Sequence, residues 1–353
     1  MRIAIVTDAW APQTNGVVTT LTATVRCLRE MGHEVTLITP EGLPTVPCPT
    51  YPEIRLALFQ GRRVQRILEE TAPEALHIAT EGPLGWAARR AARRLGLRFT
   101  TSYHTQFPDY ISARLPIPKS VVYAYLHCFH SAASCTMVGT WDVRKDLRRR
   151  GFRRLAQWTR GVDTDLFQPR PRTVSPGRPV LIYVGRVAVE KNVEAFCRLK
   201  TDARKLVVGG GPQLAELQQR YPSVEFLGYR YGAELAAVLA DADCFVFPSR
   251  TDTFGLVMLE AMACGLPVAA YPVTGPIDVV RDGQTGCLRE DLEAAVEGAL
   301  RLDRADCRAQ ALEYRWEDAT RQFLSNLVDV RASVPIRRPL ARIRPRTVPT
   351  RLR

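Results

Sequence analysis

The chain alternates between two hydrophobic periods. RIAIV (2–6) is a short β-branched run, and beyond the polar turn APQTNG (11–16) apolar Val18, Leu21, Val25 and Leu28 recur at helical spacing. Gly32 stops that helix and EVTLIT (34–39) resumes a strand, which makes the opening a βαβ unit, the building block of a parallel sheet. ALHIA (75–79), a helix predicted over Pro83–Leu95 and a strand FTTSYHT (99–105) continue the alternation, with Arg89, Arg90, Arg93 and Arg94 expected on the polar side of that helix.

An apolar, aromatic helix is predicted near 119–132, and RKDLRRRGFRR (144–154) after it reads as a solvated basic helix face. QPRPRTVSPGRP (168–179) is rich in Pro, Arg and Ser and marks a linker or domain edge. A second alternating series follows. VLIYVG (180–185), KLVVGGG (205–211), VEFLG (224–228), CFVFPS (244–249) and PVAAY (267–271) read as buried strands, interleaved with helical patterns near 213–220, 232–240 and 256–264. The expected fold is α/β: two doubly wound parallel-sheet domains in tandem. Ligands of such sheets sit beyond the carboxyl ends of the strands, so the expected site is the cleft between the domains.

Composition adds limits rather than a function. The 353 residues suit two ordinary domains, and 46% hydrophobic content suits sizeable cores. Nine cysteines are scattered without a CxxC pair, which suggests neither a disulfide framework nor a zinc ribbon and fits a reducing cytosol. MRIAIVTDAW lacks the features of a secretory leader, and no run of 18 apolar residues occurs, so any membrane contact is expected to be peripheral. The net charge of +13 is uneven: residues 331–353 carry eight Arg and no acid. That tail is expected to be disordered, and basic segments of its kind are drawn to anionic headgroups or to nucleic acid.

Two common phosphate motifs are missing. The first turn, DAWAPQTNGVV, has no G-x-G-x-x-G, and no G-x-x-x-x-G-K-[ST] occurs, so neither hydride transfer nor NTP hydrolysis has a motif to rest on. Gly16, opening a helix, is either a turn glycine or a point where phosphate meets bare backbone N–H groups. VGRVAVEKN (184–192) puts Arg186 and Lys191 just past a buried strand, where two cations can neutralise a diphosphate or pair with surface acids. GGGP (209–212), with Gly210 at its centre, gives a tight turn or a close approach of ligand. RTDTFGLVMLE (250–260) brackets a Phe-Gly turn and a helix start with Asp252 and Glu260. There Thr253, Phe254, Gly255 and Leu256 can offer backbone N–H groups to phosphate while the carboxylates face sugar hydroxyls, or the acids simply complement the helix dipole. His127 and His130 share a helical face and read as core or surface.

Taken together, these stretches resemble glycosyltransferase family 4, retaining enzymes of the GT-B fold, over nearly the whole chain. Asp252 and Glu260 match the spacing of the family's E-x7-E motif, with Asp in place of the first Glu, and EAMACGLPV follows as in the family. VGRVAVEKN resembles its diphosphate site, RGVDTDLFQP (160–169) the opening of its second domain, and YRWEDATRQFL (314–324) the last helix, which crosses back onto the first. The resemblance implies an acceptor domain over 1–165, completed by the crossover helix at about 314–330, and a nucleotide-sugar domain over 166–313.

It also implies roles. Glu260 would bind the ribose, Arg186 and Lys191 the diphosphate, and Asp252 with the Thr253–Leu256 backbone the sugar and β-phosphate. Gly16 would approach that phosphate from the first domain, and His104 would lie near the reacting carbon. Asp8 and Asp109 are assigned to the acceptor pocket. No metal and no cofactor are expected, because cations and helix N-termini can stabilise the leaving diphosphate. Within the family, YHTQFPDYISAR and YPVTGPIDVV are similar to bacterial enzymes that glycosylate membrane lipids such as diacylglycerol, some of them mannosyltransferases. The expectation is a glycolipid-forming enzyme using a UDP- or GDP-sugar at the anionic, cytoplasmic face of a membrane. The rivals are a GDP-mannose-dependent enzyme with another lipid or glycan acceptor, a hydrolysing epimerase, a non-catalytic scaffold, and a nucleic-acid-binding protein, the last without a recognition motif.

Overall fold

The computed structural model describes residues 1–13, 15–48, 51–112, 115–170 and 177–331. The first half contains strands β1 (Arg2–Val6), β2 (Glu34–Ile38), β3 (Val46–Cys48), β4 (Tyr51–Leu56), β5 (Ala75–Ile78), β6 (Thr100–Tyr103), β7 (Cys135–Val138) and β8 (Leu155–Gln157). Six of them form a parallel sheet in the order β2-β1-β5-β6-β7-β8, while β3 and β4 pair antiparallel as a separate hairpin. The second half contributes β9 (Val180–Val184), β10 (Arg204–Val208), β11 (Glu225–Gly228), β12 (Cys244–Phe247), β13 (Val268–Ala270) and β14 (Gly286–Leu288). They form a second parallel sheet in the order β11-β10-β9-β12-β13-β14.

The period of two along each strand sorts its side chains into two cores. In β9, Val180, Ile182 and Val184 join the cluster on one face, and Leu181 and Tyr183 the cluster on the other. In β1, Ile3 and Ile5 go one way, Ala4 and Val6 the other. Central strands covered on both faces read as unbroken apolar runs for this reason.

The halves are joined by two chain crossings that run side by side. Val162 N–H donates to the Tyr314 carbonyl at 3.0 Å, and a Cβ at Gly161 would stand 2.5 Å from the Trp316 nitrogen. Arg308 clamps the outgoing crossing by donating to the carbonyls of Phe167 at 2.6 Å and Thr164 at 3.0 Å. The helix Trp316–Asn326 then returns to the first sheet, where Phe323 packs on Trp158 and His77 with ring centres 4.8 and 4.9 Å apart.

Two readings change here. Arg89 is buried, not on a polar face. Its guanidinium donates to the carbonyls of Phe129 at 3.0 Å and Cys128 at 2.9 Å, where a cation satisfies the end of the helix Lys119–His130 and complements its dipole. RKDLRRRGFRR is only partly a solvated face, because its helix, Trp141–Arg149, buries Val143 and Leu147. The Arg-rich tail beyond Arg331 and residues 171–176 of the linker lie outside the described residues. Among the described residues no helix is long and apolar enough to cross a membrane.

Candidate functional site

In the second sheet the strand order reverses between β9 and β12, and the loops leaving their carboxyl ends carry Arg186, Lys191 and the Asp252 turn. Lys191 Nζ lies 2.6 Å from Asp252 Oδ2 and donates to the Tyr110 hydroxyl at 3.3 Å. Burial works against the ammonium, but Asp252, Tyr110 and Tyr183 around it hold its pKa well above the usual lysine range. Lys191 is therefore a cation pointed at the crevice. Arg186 follows β9 directly, its carbonyl accepting from the Tyr183 hydroxyl at 2.7 Å.

The turn at 252–255 is built from its own carboxylate. Asp252 Oδ1 accepts from Thr253 N–H at 2.9 Å and Phe254 N–H at 3.5 Å, so these two groups are engaged by the turn rather than open to a ligand. Gly255, with φ 82°, starts the helix Leu256–Ala263 in a left-handed conformation that favours glycine. No side chain caps that helix, and among the described residues the Leu256 and Val257 N–H groups have no acceptor. One turn further in, burial alone raises the Glu260 carboxyl from 4.5 to about 7. The crevice thus offers a cation and an open helix start, and Glu260 is a buried carboxyl one turn along the same helix.

The first domain closes over this from the ends of β6 and β7. The Gln106 amide donates to the Asp252 carbonyl at 2.7 Å, and the Tyr110 hydroxyl reaches the Thr251 carbonyl at 3.5 Å. Thr253 Oγ1 donates to the His104 carbonyl at 2.6 Å, and Thr140 Oγ1 to the Thr253 carbonyl at 3.1 Å. The Thr274 hydroxyl bonds to the Asp142 carboxylate, and a Cβ on Gly16 would sit 3.5 Å from Leu256 Cδ1. His104, Gly16, Lys191, Asp252, Thr253, Phe254, Gly255 and Leu256 therefore belong to one interdomain crevice, with Glu260 behind the helix start.

Other expected site residues have different neighbours. Asp8 accepts from Leu84 N–H at 2.8 Å, Gly85 N–H at 3.2 Å and the Thr80 hydroxyl at 2.9 Å, capping the helix Pro83–Leu95. Its carboxyl is raised by burial, against the pull of those donors. Asp109 pairs with Lys119 at 2.5 Å. At Gly210 a Cβ would stand 2.7 Å from the Tyr229 ring, so the glycine makes room for an aromatic side chain of the neighbouring loop. His130 is core, bonded to Glu81 at 3.1 Å and Thr101 at 2.9 Å, whereas His127 is exposed beside Phe152. Sequence reasoning did not single out Gln106 or Tyr110, although both lie in the quoted stretch YHTQFPDYISAR, nor Arg160 of RGVD as a site residue. Their contacts are set by tertiary closure and leave no local spacing signal.

Similarity to known proteins follows the same division. A family model described as Glycosyltransferase Family 4 matches residues 14–166, and one described as Glycosyl transferases group 1 matches 178–304. The chain is 32% identical over 315 residues to a GDP-mannose-dependent alpha-mannosyltransferase of Mycobacterium tuberculosis, covering 82% of this chain and 83% of that one. It is 34% identical over 329 residues to the protein of the same name from Mycolicibacterium smegmatis, covering 85% and 88%. An alpha-monoglucosyldiacylglycerol synthase of Streptococcus pneumoniae is 26% identical over 349 residues, covering 85% and 78%. Among solved structures, the sucrose-phosphate synthase of Thermosynechococcus elongatus superposes with a TM-score of 0.74 at 19% identity, over 92% of this chain and 97% of that one.

Proposed function

The chain belongs to glycosyltransferase family 4 and is a glycosyltransferase of GT-B architecture; from that premise we propose that it moves a hexosyl unit, mannose from GDP-mannose first, onto a hydroxyl of a membrane lipid with retention at the anomeric carbon. The observation that carries this reading is Lys191 paired with Asp252 at a turn that opens the helix start at Leu256 and is tied to His104 of the other domain through Thr253, with the desolvated Glu260 carboxyl one turn along that helix.

Each group has a task in that transfer. Glu260, ionised, accepts from the two ribose hydroxyls. Lys191, Arg186 and the Leu256 and Val257 N–H groups receive the diphosphate, and Lys191 turns part of its bond with Asp252 toward phosphate as it does so. The bond between the anomeric carbon and the β-phosphate oxygen breaks while the acceptor oxygen bonds to that carbon from the same face. The acceptor proton passes to the departing phosphate oxygen. Catalysis then consists of positioning plus stabilisation of the negative charge that grows on the diphosphate. Because protein cations and a helix start supply that stabilisation, no divalent metal is required.

Donor and acceptor rest on different supports. The relatives with at least 30% identity quoted above carry GDP-mannose in their names. For a lipid acceptor, the segment after Tyr110 exposes Leu115, Ile117, Val121 and Tyr125, apolar side chains suited to a peripheral contact with a bilayer. The cytoplasmic leaflet is the surface that such an enzyme would work on.

Purified protein given a panel of GDP- and UDP-sugars, with diacylglycerol or phosphoinositide in anionic vesicles, should form a glycosylated lipid from GDP-mannose, detected by mass spectrometry. EDTA should leave the rate within about twofold. Transfer only to soluble glycans would overturn the lipid acceptor, and transfer only from UDP-sugars would overturn the donor.

A further inference from the structure

Arg160 is fully enclosed in the first domain, against the wall that carries His104. Its Nη1 donates to the carbonyls of Trp158 at 2.6 Å and Thr159 at 3.1 Å, and its guanidinium carbon lies 4.5 Å from the centre of the Trp158 ring. Its Nη2 stands 3.1 Å from His104 Nδ1. A guanidinium has donors and no acceptor. Burial pulls this one down to about 9, which leaves it a cation at neutral pH. His104 Nδ1 must therefore supply the lone pair.

That assignment fixes the rest of the ring. A neutral imidazole that accepts at Nδ1 carries its hydrogen on Nε2. His104 is 9% exposed, and its Nε2 is buried without a hydrogen-bond partner among the described residues. The backbone of the same residue is pinned to the second domain by Thr253. The ring packs edge to face against Trp158 at 5.5 Å, which holds its plane.

We infer that Arg160 is a positioning residue: it keeps His104 as a neutral imidazole with an Nε2–H donor directed to an oxygen of the bound donor sugar, and so bars His104 from acting as a general base. This rests on the reading of the crevice as a nucleotide-sugar site. The titratable groups acting on the ring agree with it. Burial, Arg160, His77 from β5 and His130 from the end of the helix Lys119–His130 all drive its pKa well below the usual histidine range, and no carboxylate offsets them. A donor that never titrates suits an oxygen whose charge changes little, whereas a base would need a pKa near the working pH.

The test is a pH titration of the full-length protein labelled with nitrogen-15 at its five histidines, with His104 assigned by His104→Gln. The expected result is an unprotonated Nδ1 and a protonated Nε2 at every pH between about 5 and 8. In Arg160→Met the ring should lose the fixed tautomer and titrate nearer to about 6.5. Its kcat should fall at least about tenfold with KM for the sugar nucleotide little changed, a smaller loss than the ~10²-fold typical of removing a donor outright. A protonated Nδ1 in the wild-type protein, or a histidinium within that range, overturns the inference. So does a folded Arg160→Met protein that loses turnover while its tautomer is unchanged, because Arg160 would then act by packing alone. If Arg160→Met does not fold, the wild-type titration decides by itself. Since that spectrum needs no substrate, a correct tautomer with no sugar transfer from any donor would count against the proposed function while sustaining the Arg160–His104 assignment.

Discussion

At the scale of single residues, the site depends on groups kept in costly states. Glu260 is the clearest case. Its carboxyl sits at about 7 in the fold against an ordinary 4.5, so the folded protein holds that proton more tightly than the unfolded chain. The stability this gives is complete below about pH 4.5 and is lost as pH rises through about 7. Glu260→Gln should therefore melt above the wild-type protein at pH 8 and level with it near pH 4.5, measured by calorimetry. The same variant should bind GDP about tenfold more weakly or worse at pH 8, the scale of hydrogen bonds to a charged group. Wild-type GDP affinity should itself tighten as pH rises through about 7, when the carboxylate forms. Lys191→Ala should lower kcat by roughly 10²- to 10³-fold, with a melting shift of no more than a few degrees. Unchanged turnover would remove Lys191 from the diphosphate site. The spacing of Asp252 and Glu260, and Lys191 just after a strand, were visible in the sequence because they are local. The 2.6 Å contact between Lys191 and Asp252 was not, since it joins two loops 61 positions apart, and the Arg160–His104 contact spans 56.

At the scale of elements, the short helix Phe107–Ser112 acts as a strap from the first domain onto the 251–253 loop, through Gln106 and Tyr110. Tyr110→Phe removes its bonds to Lys191 and Thr251 without removing the ring. It should raise KM for the donor by several-fold and leave the melting point nearly unchanged, which steady-state kinetics and a thermal melt would show together. Asp8 has the opposite profile. Asp8→Ala uncaps the helix Pro83–Leu95 and leaves buried N–H groups unpaired, which should cost about 1–3 kcal/mol in denaturant unfolding. If stability held and only acceptor affinity fell, the capping role would be wrong. Long elements were legible: the helix Pro83–Leu95 has the bounds that its pattern predicts, and the strands of the second sheet fall on the five apolar runs, β10 starting one residue earlier at Arg204, and on one further segment. That segment, β14, and the strands β3, β4, β7 and β8 escaped because Pro, Gly, Thr, Cys or charged and amide residues interrupt their apolar runs. The buried Arg89 escaped because its pattern of polar residues does not reveal a neighbouring helix end in need of a cation.

At the scale of the whole molecule, two parallel sheets are held together by paired chain crossings at 161–162 and 314–316 and by the contacts around the 251–254 turn. Gly161 has no room for a side chain, so Gly161→Ala should push the crossings apart and destabilise the protein by about 1–3 kcal/mol. The alternation of strand and helix announced both sheets, since each repeat is a local pattern. A cleft between them was expected from the sheets alone, but the contacts that close it were not legible, because they depend on side chains from distant parts of the chain. The central claim is that a sugar nucleotide lies in the crevice that this closure forms. A crystal structure of the full chain with GDP-mannose tests it most directly. The diphosphate is expected on Lys191 and the Leu256 N–H, the ribose on Glu260, and His104 Nε2 within hydrogen-bond reach of a sugar oxygen. Nucleotide bound elsewhere, with Lys191 still closed on Asp252 and Glu260 untouched, would contradict it.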